Sequence, residues 1–298
     1  MAEAKGNPSK LENETKDSCH MTEAKDNIPG LENETEGTQQ NQPLTQAERH
    51  IILIGNLGAG KSHCGNGILG EKRFESKHSL SLVTRHCKCG FVNKKDLKYH
   101  VFDTPGMNLT ERMKKNVDVK TDIRRCLYGL YPGYHAIILV LSANEMITNE
   151  QFKLLGDLLE EKAYEYMIII ISKLENSKEK LDEITKDSQT FKKLESKCKQ
   201  RVVIFGNNPE CIPDECVKNF DDVLTNLIEK NGTKEYYTHK NTTWVKNMLK
   251  KDEEDYLRKN PHVEKNEASN IVRINAAVGL SPRDKELKSQ ITKSCSIS

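Results

Sequence analysis

Residues 51–62, IILIGNLGAGKS, constrain the fold of this chain more than any other stretch. Four apolar residues followed by a glycine are typical of a buried parallel strand. Gly55 to Ser62 then match G-x-x-x-x-G-K-[ST], a phosphate-binding loop whose glycines let backbone N–H groups turn inward around phosphates. The pattern places Lys61 on the β- and γ-phosphates and the Ser62 hydroxyl on Mg²⁺. A helix over 64–69 would add its positive N-terminal end, whereas a plain Gly-rich turn is the alternative.

Composition limits the class of protein. The 298 residues have room for one or two domains, and 46 basic against 44 acidic residues give a net charge of +2 and no electrostatic reason to expect nucleic acid. No apolar run approaches the roughly 20 residues of a membrane span, and the N-terminus lacks the apolar segment of a secretory signal, so we expect a cytoplasmic protein. The nine cysteines are then reduced thiols, and their spacings do not match a zinc site.

The first 46 residues contain a tandem duplication. Residues 1–17 (MAEAKGNPSKLENETKD) are echoed at 21–37 (MTEAKDNIPGLENETEG), with LENET intact in both copies. Two copies this polar cannot bury a core. We therefore predict a disordered extension over 1–46, which is either a partner-binding tail or a neutral spacer.

From residue 51 to about 230, short apolar runs alternate with longer amphipathic ones, as in a parallel sheet flanked by helices. The candidate strands are 50–54, 84–92, 97–102, 135–141, 166–172 and 201–205, and the candidate helices are 148–162, 179–199 and 214–229. Two runs, 136–141 and 167–171, are continuously apolar and are predicted to be central strands. The fold class is α/β, with a doubly wound, mostly parallel sheet that binds its ligand at the C-terminal edge.

Two features at that edge are predicted to complete a magnesium site. Asp103-Thr104-Pro105-Gly106 follows a candidate strand, where a nucleotide hydrolase needs a carboxylate for Mg²⁺ and a glycine N–H for the γ-phosphate. A D-T-P-G turn alone is a weak signal, but its place after the phosphate loop strengthens it. Thr84 lies between the two and is either a switch threonine that binds Mg²⁺ or a surface threonine entering a strand.

Two further loops are candidates for reading a nucleotide base. Ser172-Lys173-Leu174-Glu175 follows the fifth strand, where a carboxylate would accept hydrogen bonds from guanine, and Asn207-Asn208 follows the sixth. His63 either touches the phosphates or faces solvent, and we favour solvent. The predicted cofactor-binding residues are Gly55, Asn56, Leu57, Gly58, Ala59, Gly60, Lys61, Ser62, His63, Thr84, Asp103, Gly106, Lys173, Glu175, Asn207 and Asn208. The predicted metal ligands are Ser62, Thr84 and Asp103, and no catalytic residue is assigned.

These motifs together resemble the immunity-associated nucleotide-binding GTPases, the GIMAP (IAN) family. The matching segments are 55–70 with its GNGILG ending, 103–106, the PGYHAIILVL box at 132–141, 172–175 and 207–208. The resemblance covers about 47–250, which we take as the GTPase domain. It implies a Ras-like P-loop GTPase fold with extra C-terminal helices, binding of GTP or GDP with Mg²⁺, and a homodimer or hetero-oligomer with related GTPases across the nucleotide face.

The departures from the family pattern bear on mechanism. Where the family has T-R-K-D, this chain has SKLE, and the extra methylene of Glu175 must be accommodated if guanine is to be read. Met107 follows the D-T-P-G turn, and no glutamine is placed to orient water. The family's Gly-Arg corresponds to Asn144-Glu145, and a carboxylate there would oppose what an arginine finger does for transition-state charge.

The C-terminal part is predicted to hold one amphipathic helix around 244–249, then a charged, disordered tail over 251–298. The last four residues, Cys295-Ser296-Ile297-Ser298, fit C-a-a-X with a serine at X, a farnesylation signal. Prenylation of Cys295 would give peripheral attachment to the cytosolic face of an organelle membrane, while a chance cysteine is the alternative.

Two functions are consistent with these motifs and with the departures from the family pattern. The first is a GTP-binding assembly module of the GIMAP type, in which nucleotide orders a dimer face and hydrolysis is weak or absent. The second is a GTPase switch that cycles between GTP and GDP. Asn144-Glu145 favours the first, whereas Lys61, Ser62 and Asp103 keep the second open, and an ATP-binding P-loop kinase is a distant third.

Overall fold

The computed structural model describes residues 47–76, 84, 86–94, 96–107, 117–145, 147–233 and 235–295. The N-terminal repeat and residues 296–298 lie outside these ranges, so the predictions made for them are untested. The strands are β1 (Ala47–Gly55), β2 (Lys88–Lys94), β3 (Leu97–Asp103), β4 (Ala136–Ser142), β5 (Met167–Ser172) and β6 (Val202–Ile204). All six correspond to strands predicted from the sequence, with shifted ends.

The six strands form one sheet in the order β2-β3-β1-β4-β5-β6. β3, β1, β4, β5 and β6 run parallel to their neighbours, and β2 pairs with β3 in the antiparallel direction. The chain builds the sheet outward from β1 in both directions, through β3 on one side and β4 on the other. A doubly wound sheet opens a crevice for ligand where its strand order reverses in this way. The predicted fold class, an α/β domain of the Ras-like P-loop type, is confirmed.

The helices lie on both faces of the sheet. They are α1 (Lys61–Leu69), α2 (Val117–Gly129), α3 (Asn149–Leu158), α4 (Lys178–Thr185), α5 (Gln189–Lys197), α6 (Asp214–Asn231), α7 (Thr242–Lys259), α8 (Lys265–Val278) and α9 (Asp284–Cys295), with a 3₁₀ turn at Glu161–Tyr166. None of them, within the described residues, is both long and apolar enough to cross a membrane.

The core has two halves, one on each face of the sheet. β4 and β5 are buried along their whole length, as their apolar runs predicted. One half packs Cys64 and Ile68 of α1 and Phe220 and Leu224 of α6 against the odd-numbered positions of β1. The other half packs α2, α3, α5 and the C-terminal helices against the even-numbered positions, such as Ile52. Alternation along a strand assigns successive side chains to opposite faces, so both layers follow from one strand sequence.

The prediction of a disordered segment from residue 251 is wrong for 251–295. α7 continues to Lys259, and α8 and α9 follow it and pack on α2. A Cβ on Gly129 of α2 would come within 2.8 Å of the Ala277 Cα, so the two helices approach through small residues. Leu287 and Ile291 of α9 are also buried. Few large apolar residues are needed when helices pack this closely, which is why the segment reads as polar.

Two helical predictions also need correction, and one helix was missed. The predicted helix 179–199 is two helices, because the first ends at Thr185 and Ser188 caps the second by accepting from the Phe191 N–H. The predicted helix 148–162 ends at Leu158. α2 was not predicted at all. Gly232 does end α6, as expected, with a φ of 100°.

Candidate functional site

The phosphate loop leaves β1 at Gly55 and enters α1 at Lys61. Gly58 and Gly60 have φ angles of 78° and 87°, in the left-handed region that glycine adopts without steric cost. Gly60 is the N-cap of α1, and no side chain of the described residues caps this helix. The first N–H groups of α1 and its positive dipole end are therefore available to an anion.

Lys61 folds back over this loop. Its Nζ donates to the carbonyl oxygens of Gly55 at 3.1 Å and Asn56 at 2.9 Å, and its side chain is buried. Burial lowers the pKa of Lys61 to about 8, although the nearby Asp103 carboxylate opposes this. A buried ammonium with two carbonyl partners lies ready to interact with phosphate oxygens, which would return its pKa to the usual range.

Three side-chain oxygens from separate segments meet beside Lys61. The Ser62 hydroxyl donates to Asp103 Oδ2 at 2.7 Å, and Thr84 Oγ1 donates to the same atom at 3.3 Å. Burial raises the pKa of Asp103, even though Lys61, Ser62 and Thr84 favour its charged form. Its second oxygen, Oδ1, is buried and has no hydrogen-bond partner among the described residues.

This set of oxygens fits a small hard cation. Mg²⁺ takes hydroxyl and carboxylate oxygens, and its charge would keep the Asp103 carboxylate ionised. The structure therefore brings together the three residues that the sequence predicted as metal ligands. Their role in binding the metal remains a prediction.

The turn after β3 is hydrogen-bonded to the phosphate loop and to the strand that precedes the loop. The Met107 N–H donates to the Gly55 carbonyl at 3.0 Å, and Thr104 Oγ1 donates to the Leu53 carbonyl at 2.7 Å. A Cβ on Gly106 would lie 2.5 Å from the Leu57 Cα, so any larger residue would push the two loops apart. Glycine is required here for close approach rather than for a turn.

The loop after β5 supports the phosphate loop from the other side. Ser172 Oγ donates to the Ala59 carbonyl at 2.6 Å, and Lys173 Nζ donates to the Gly58 carbonyl at 2.7 Å. Lys173 has a φ of 59°, which aims its side chain back over the loop. Ser172 was not among the predicted site residues. The sequence did carry a signal for this residue, because Ser172 is a small hydroxyl residue at the end of a buried strand, directly before Lys173.

The predicted base-reading residues have other contacts. Glu175 is 61% exposed and pairs with Lys180, so its carboxylate can be reached from solvent. Asn208 Oδ1 accepts from the Glu210 N–H at 2.9 Å and so shapes its own turn. His63 is partly exposed and its Nε2 lies 3.1 Å from the Asn208 carbonyl oxygen, so the preference for solvent over phosphate contact stays a prediction. Asn207 is exposed.

Glu145 reaches the phosphate loop from the segment after β4. Its Oε1 accepts from Asn56 Nδ2 at 3.1 Å and from Gln151 Nε2 at 3.4 Å. The carboxylate therefore lies against the loop that would hold the phosphates, as the resemblance had suggested for this position. Glu145 places a carboxylate beside Asn56 of the phosphate loop.

The end of α1 is fixed by Asn66, in the GNGILG segment. Its Oδ1 accepts from the Arg73 N–H at 2.9 Å and the Phe74 N–H at 2.8 Å, and its Nδ2 donates to the Phe74 carbonyl at 2.9 Å. The side chain is buried, and its three hydrogen bonds satisfy the Arg73 N–H, the Phe74 N–H and the Phe74 carbonyl in place of backbone partners. This role accounts physically for an asparagine inside a helix.

The chain is similar in sequence to named proteins of a plant and a mammal. "Immune-associated nucleotide-binding protein 7" of Arabidopsis thaliana is 34% identical over 180 residues, which are 57% of this chain and 57% of that protein. The chain therefore spans little more than half the length of that relative. "GTPase IMAP family member 8" of Rattus norvegicus is 29% identical over 215 residues, 69% of this chain and 30% of that protein.

The chain is also similar to a solved structure, and it matches a family model. The Arabidopsis thaliana protein Toc33, crystallised with GDP and Mg²⁺, aligns with a TM-score of 0.46 at 18% identity, covering 60% of this chain and 85% of that one. The AIG1 family model matches residues 49–257, well over half of the sequence. The chain belongs to the AIG1 family.

Proposed function

We propose that this protein binds GTP and GDP with Mg²⁺ and acts as a nucleotide-dependent assembly module with weak or absent hydrolysis. The observation that carries nucleotide binding is the meeting of Ser62, Thr84 and Asp103 beside the buried Lys61, under a helix N-terminus that no described side chain caps. The phosphates would lie on the backbone of the loop. Ser62, Thr84 and Asp103 would hold Mg²⁺, which when bound would neutralise phosphate charge.

Guanine selectivity is assigned to the loop after β5. Glu175 is exposed, and its carboxylate can accept from both donors on the edge of guanine, whereas adenine would meet an unmatched acceptor. Lys180 pairs with this carboxylate and must give way when a base is bound. This exchange lowers the affinity for the base without changing which base is preferred.

Weak hydrolysis is inferred from Glu145. Its carboxylate faces Asn56 of the phosphate loop, and negative charge at that position opposes the charge that develops on the transferring phosphate. An arginine in the same place would be worth about 10³- to 10⁵-fold in rate. With that gain missing, the nucleotide would act mainly by ordering the surface around itself, across which two copies would associate.

A cycling GTPase switch is the second candidate. It is supported by the hydrogen bond between Ser62 and Asp103 beside the buried Lys61, and by the close approach of Gly106 to Leu57 of the phosphate loop. If this reading holds, hydrolysis rather than assembly would set the lifetime of the GTP-bound form.

The experiment is to measure binding of fluorescent GTP, GDP and ATP to the full chain with and without Mg²⁺, and to follow its mass by sedimentation with each nucleotide. We expect GTP and GDP to bind more tightly than ATP, and mass to double with a non-hydrolysable GTP analogue. Ser62→Ala should weaken the Mg²⁺-dependent part of binding, whereas Ser196→Ala, at an exposed position, should not. Equal affinity for ATP would contradict guanine reading by Glu175, and a constant mass would contradict assembly.

A further inference from the structure

Histidines lie side by side across three strands, at the end of the sheet opposite the phosphate loop. His50 of β1 and His100 of β3 are direct partners in the parallel register, and His135 immediately precedes β4. Glu48 is two residues before His50, so the period of a strand places both side chains on the same face. Glu48, His50 and His100 therefore converge on that face, and we call these three residues the Glu-His-His cluster.

The donor atoms of the Glu-His-His cluster are close together. His50 Nε2 is 3.1 Å from Glu48 Oε2, His100 Nε2 is 3.7 Å from Glu48 Oε1, and one donor atom from each residue lies within 4.8 Å of the other two. Four ligands at about 2.0–2.1 Å from a tetrahedral zinc ion are about 3.4 Å apart. The donor atoms of the cluster lie at most 4.8 Å apart, so small side-chain movements would bring them to that spacing around one metal ion.

Two of these rings have nitrogens that the protein leaves without partners. His50 and His100 are almost fully buried, and His50 Nδ1 and both ring nitrogens of His100 make no hydrogen bond with any described residue. A neutral imidazole has one donor and one acceptor nitrogen, and burying both without partners is unfavourable. His135 is different, because its Nδ1 accepts from the His50 backbone N–H at 2.9 Å.

Two side chains of helix α8 donate hydrogen bonds to the Glu48 carboxylate. Asn270 Nδ2 donates to Glu48 Oε1 at 2.7 Å, and Arg273 Nη2 donates to Oε2 at 3.1 Å. Hydrogen bonds of this kind fix the orientation of carboxylates that ligate metals. The Arg273 charge also repels a cation, so it sets an upper limit on affinity.

We propose that Glu48, His50 and His100 form a Zn²⁺ site. Two imidazole nitrogens and one carboxylate oxygen are a zinc donor set, and they leave one position for water. Because Glu48 also holds α8, the ion would tie the C-terminal helices to strands β1 and β3. The site lies away from the phosphate loop and does not depend on the function proposed for it.

The test uses the full chain, freed of metal with a chelator and kept in a thiol-free reductant. Co²⁺ is titrated in as a spectroscopic stand-in, followed by Zn²⁺. We expect one equivalent of Co²⁺ to give visible ligand-field bands without a thiolate charge-transfer band, and Zn²⁺ to displace it and raise Tm. Thiolate bands would mean that cysteines bind the metal, and they would overturn the proposal, as would the absence of any bands.

Variants separate ligation from folding. His100→Gln and Glu48→Gln should each weaken Zn²⁺ binding about tenfold or more, whereas His262→Asn, an exposed histidine, should leave it unchanged. If His100→Gln folds by circular dichroism and still binds Zn²⁺ like the parent, or if His262→Asn weakens binding as much as His100→Gln does, the assignment is wrong.

Discussion

The pKa of Lys61 predicts that nucleotide binding takes up a proton. Burial lowers this pKa to about 8 in the nucleotide-free protein, and phosphate oxygens in contact with Nζ would raise it again. Well below pH 8 the ammonium is already charged, so binding takes up almost no proton. Above pH 8 the free protein holds a neutral amine, and nucleotide must bind together with a proton. The affinity therefore falls as the pH rises.

The size of the effect follows from the titration of one group. With a free pKa of about 8 and a bound pKa well above 9, binding takes up about 0.1 proton at pH 7, about half at pH 8 and about 0.9 at pH 9. The dissociation constant should then rise about tenfold between pH 7 and pH 9, and more if the pKa lies slightly lower.

Asp103 works in the opposite sense. Burial raises its pKa and Mg²⁺ would favour its charged form, so metal binding releases protons from Asp103 and does not take them up. Terminal phosphates titrate near pH 6 and would also release protons on binding. Net proton uptake at pH 8 to 9 therefore reports on Lys61.

The assay is titration calorimetry of GDP with Mg²⁺ in buffers of different ionisation enthalpy, which counts protons directly. Lys61→Arg is the matched control, because arginine stays charged throughout this range and should take up no proton. If that variant does not bind, the proton count of the parent still decides. No uptake at pH 8 to 9 would refute the argument that Lys61 is buried in the free site.

Three further predictions concern other parts of the site. Glu145→Arg should raise single-turnover GTP hydrolysis by about tenfold or more at concentrations where the protein dimerises, and an unchanged rate would mean that Glu145 does not face the phosphate. Gly106→Ala, which places a Cβ 2.5 Å from the Leu57 Cα, should lower GTP affinity about tenfold in the same binding assay while far-UV circular dichroism stays the same. Asn66→Leu removes three hydrogen bonds to the loop at Phe74 and should lower the free energy of unfolding by about 3 kcal/mol in urea titration; a loss below about 1 kcal/mol would contradict its structural role.

The fold could be predicted because its strongest signals are local. The apolar runs of β4 and β5 need burial on both faces, and the phosphate loop fixes the strand before it and the helix after it. These segments give the sheet and the edge that binds the ligand. The placement of Ser62, Thr84 and Asp103 followed from that edge.

What could not be predicted depends on contacts between distant segments. α2 was missed because its inner face carries a buried ion pair, with Arg125 Nη1 3.0 Å from Asp122 Oδ1, and charges there break the apolar pattern. α8 packs through alanines such as Ala276, which a hydrophobicity pattern barely registers. The alignment of His50 with His100 is visible only once the strand register is known.

The most direct test of the central claim is single-turnover hydrolysis of GTP by the full chain, measured at protein concentrations that span dimer formation. We predict GTP-selective binding and a rate that stays slow and independent of concentration, since Glu145 places a carboxylate beside Asn56 of the phosphate loop. Rapid hydrolysis that accelerates as dimers form would contradict the assembly module, and it would make the cycling GTPase the correct description.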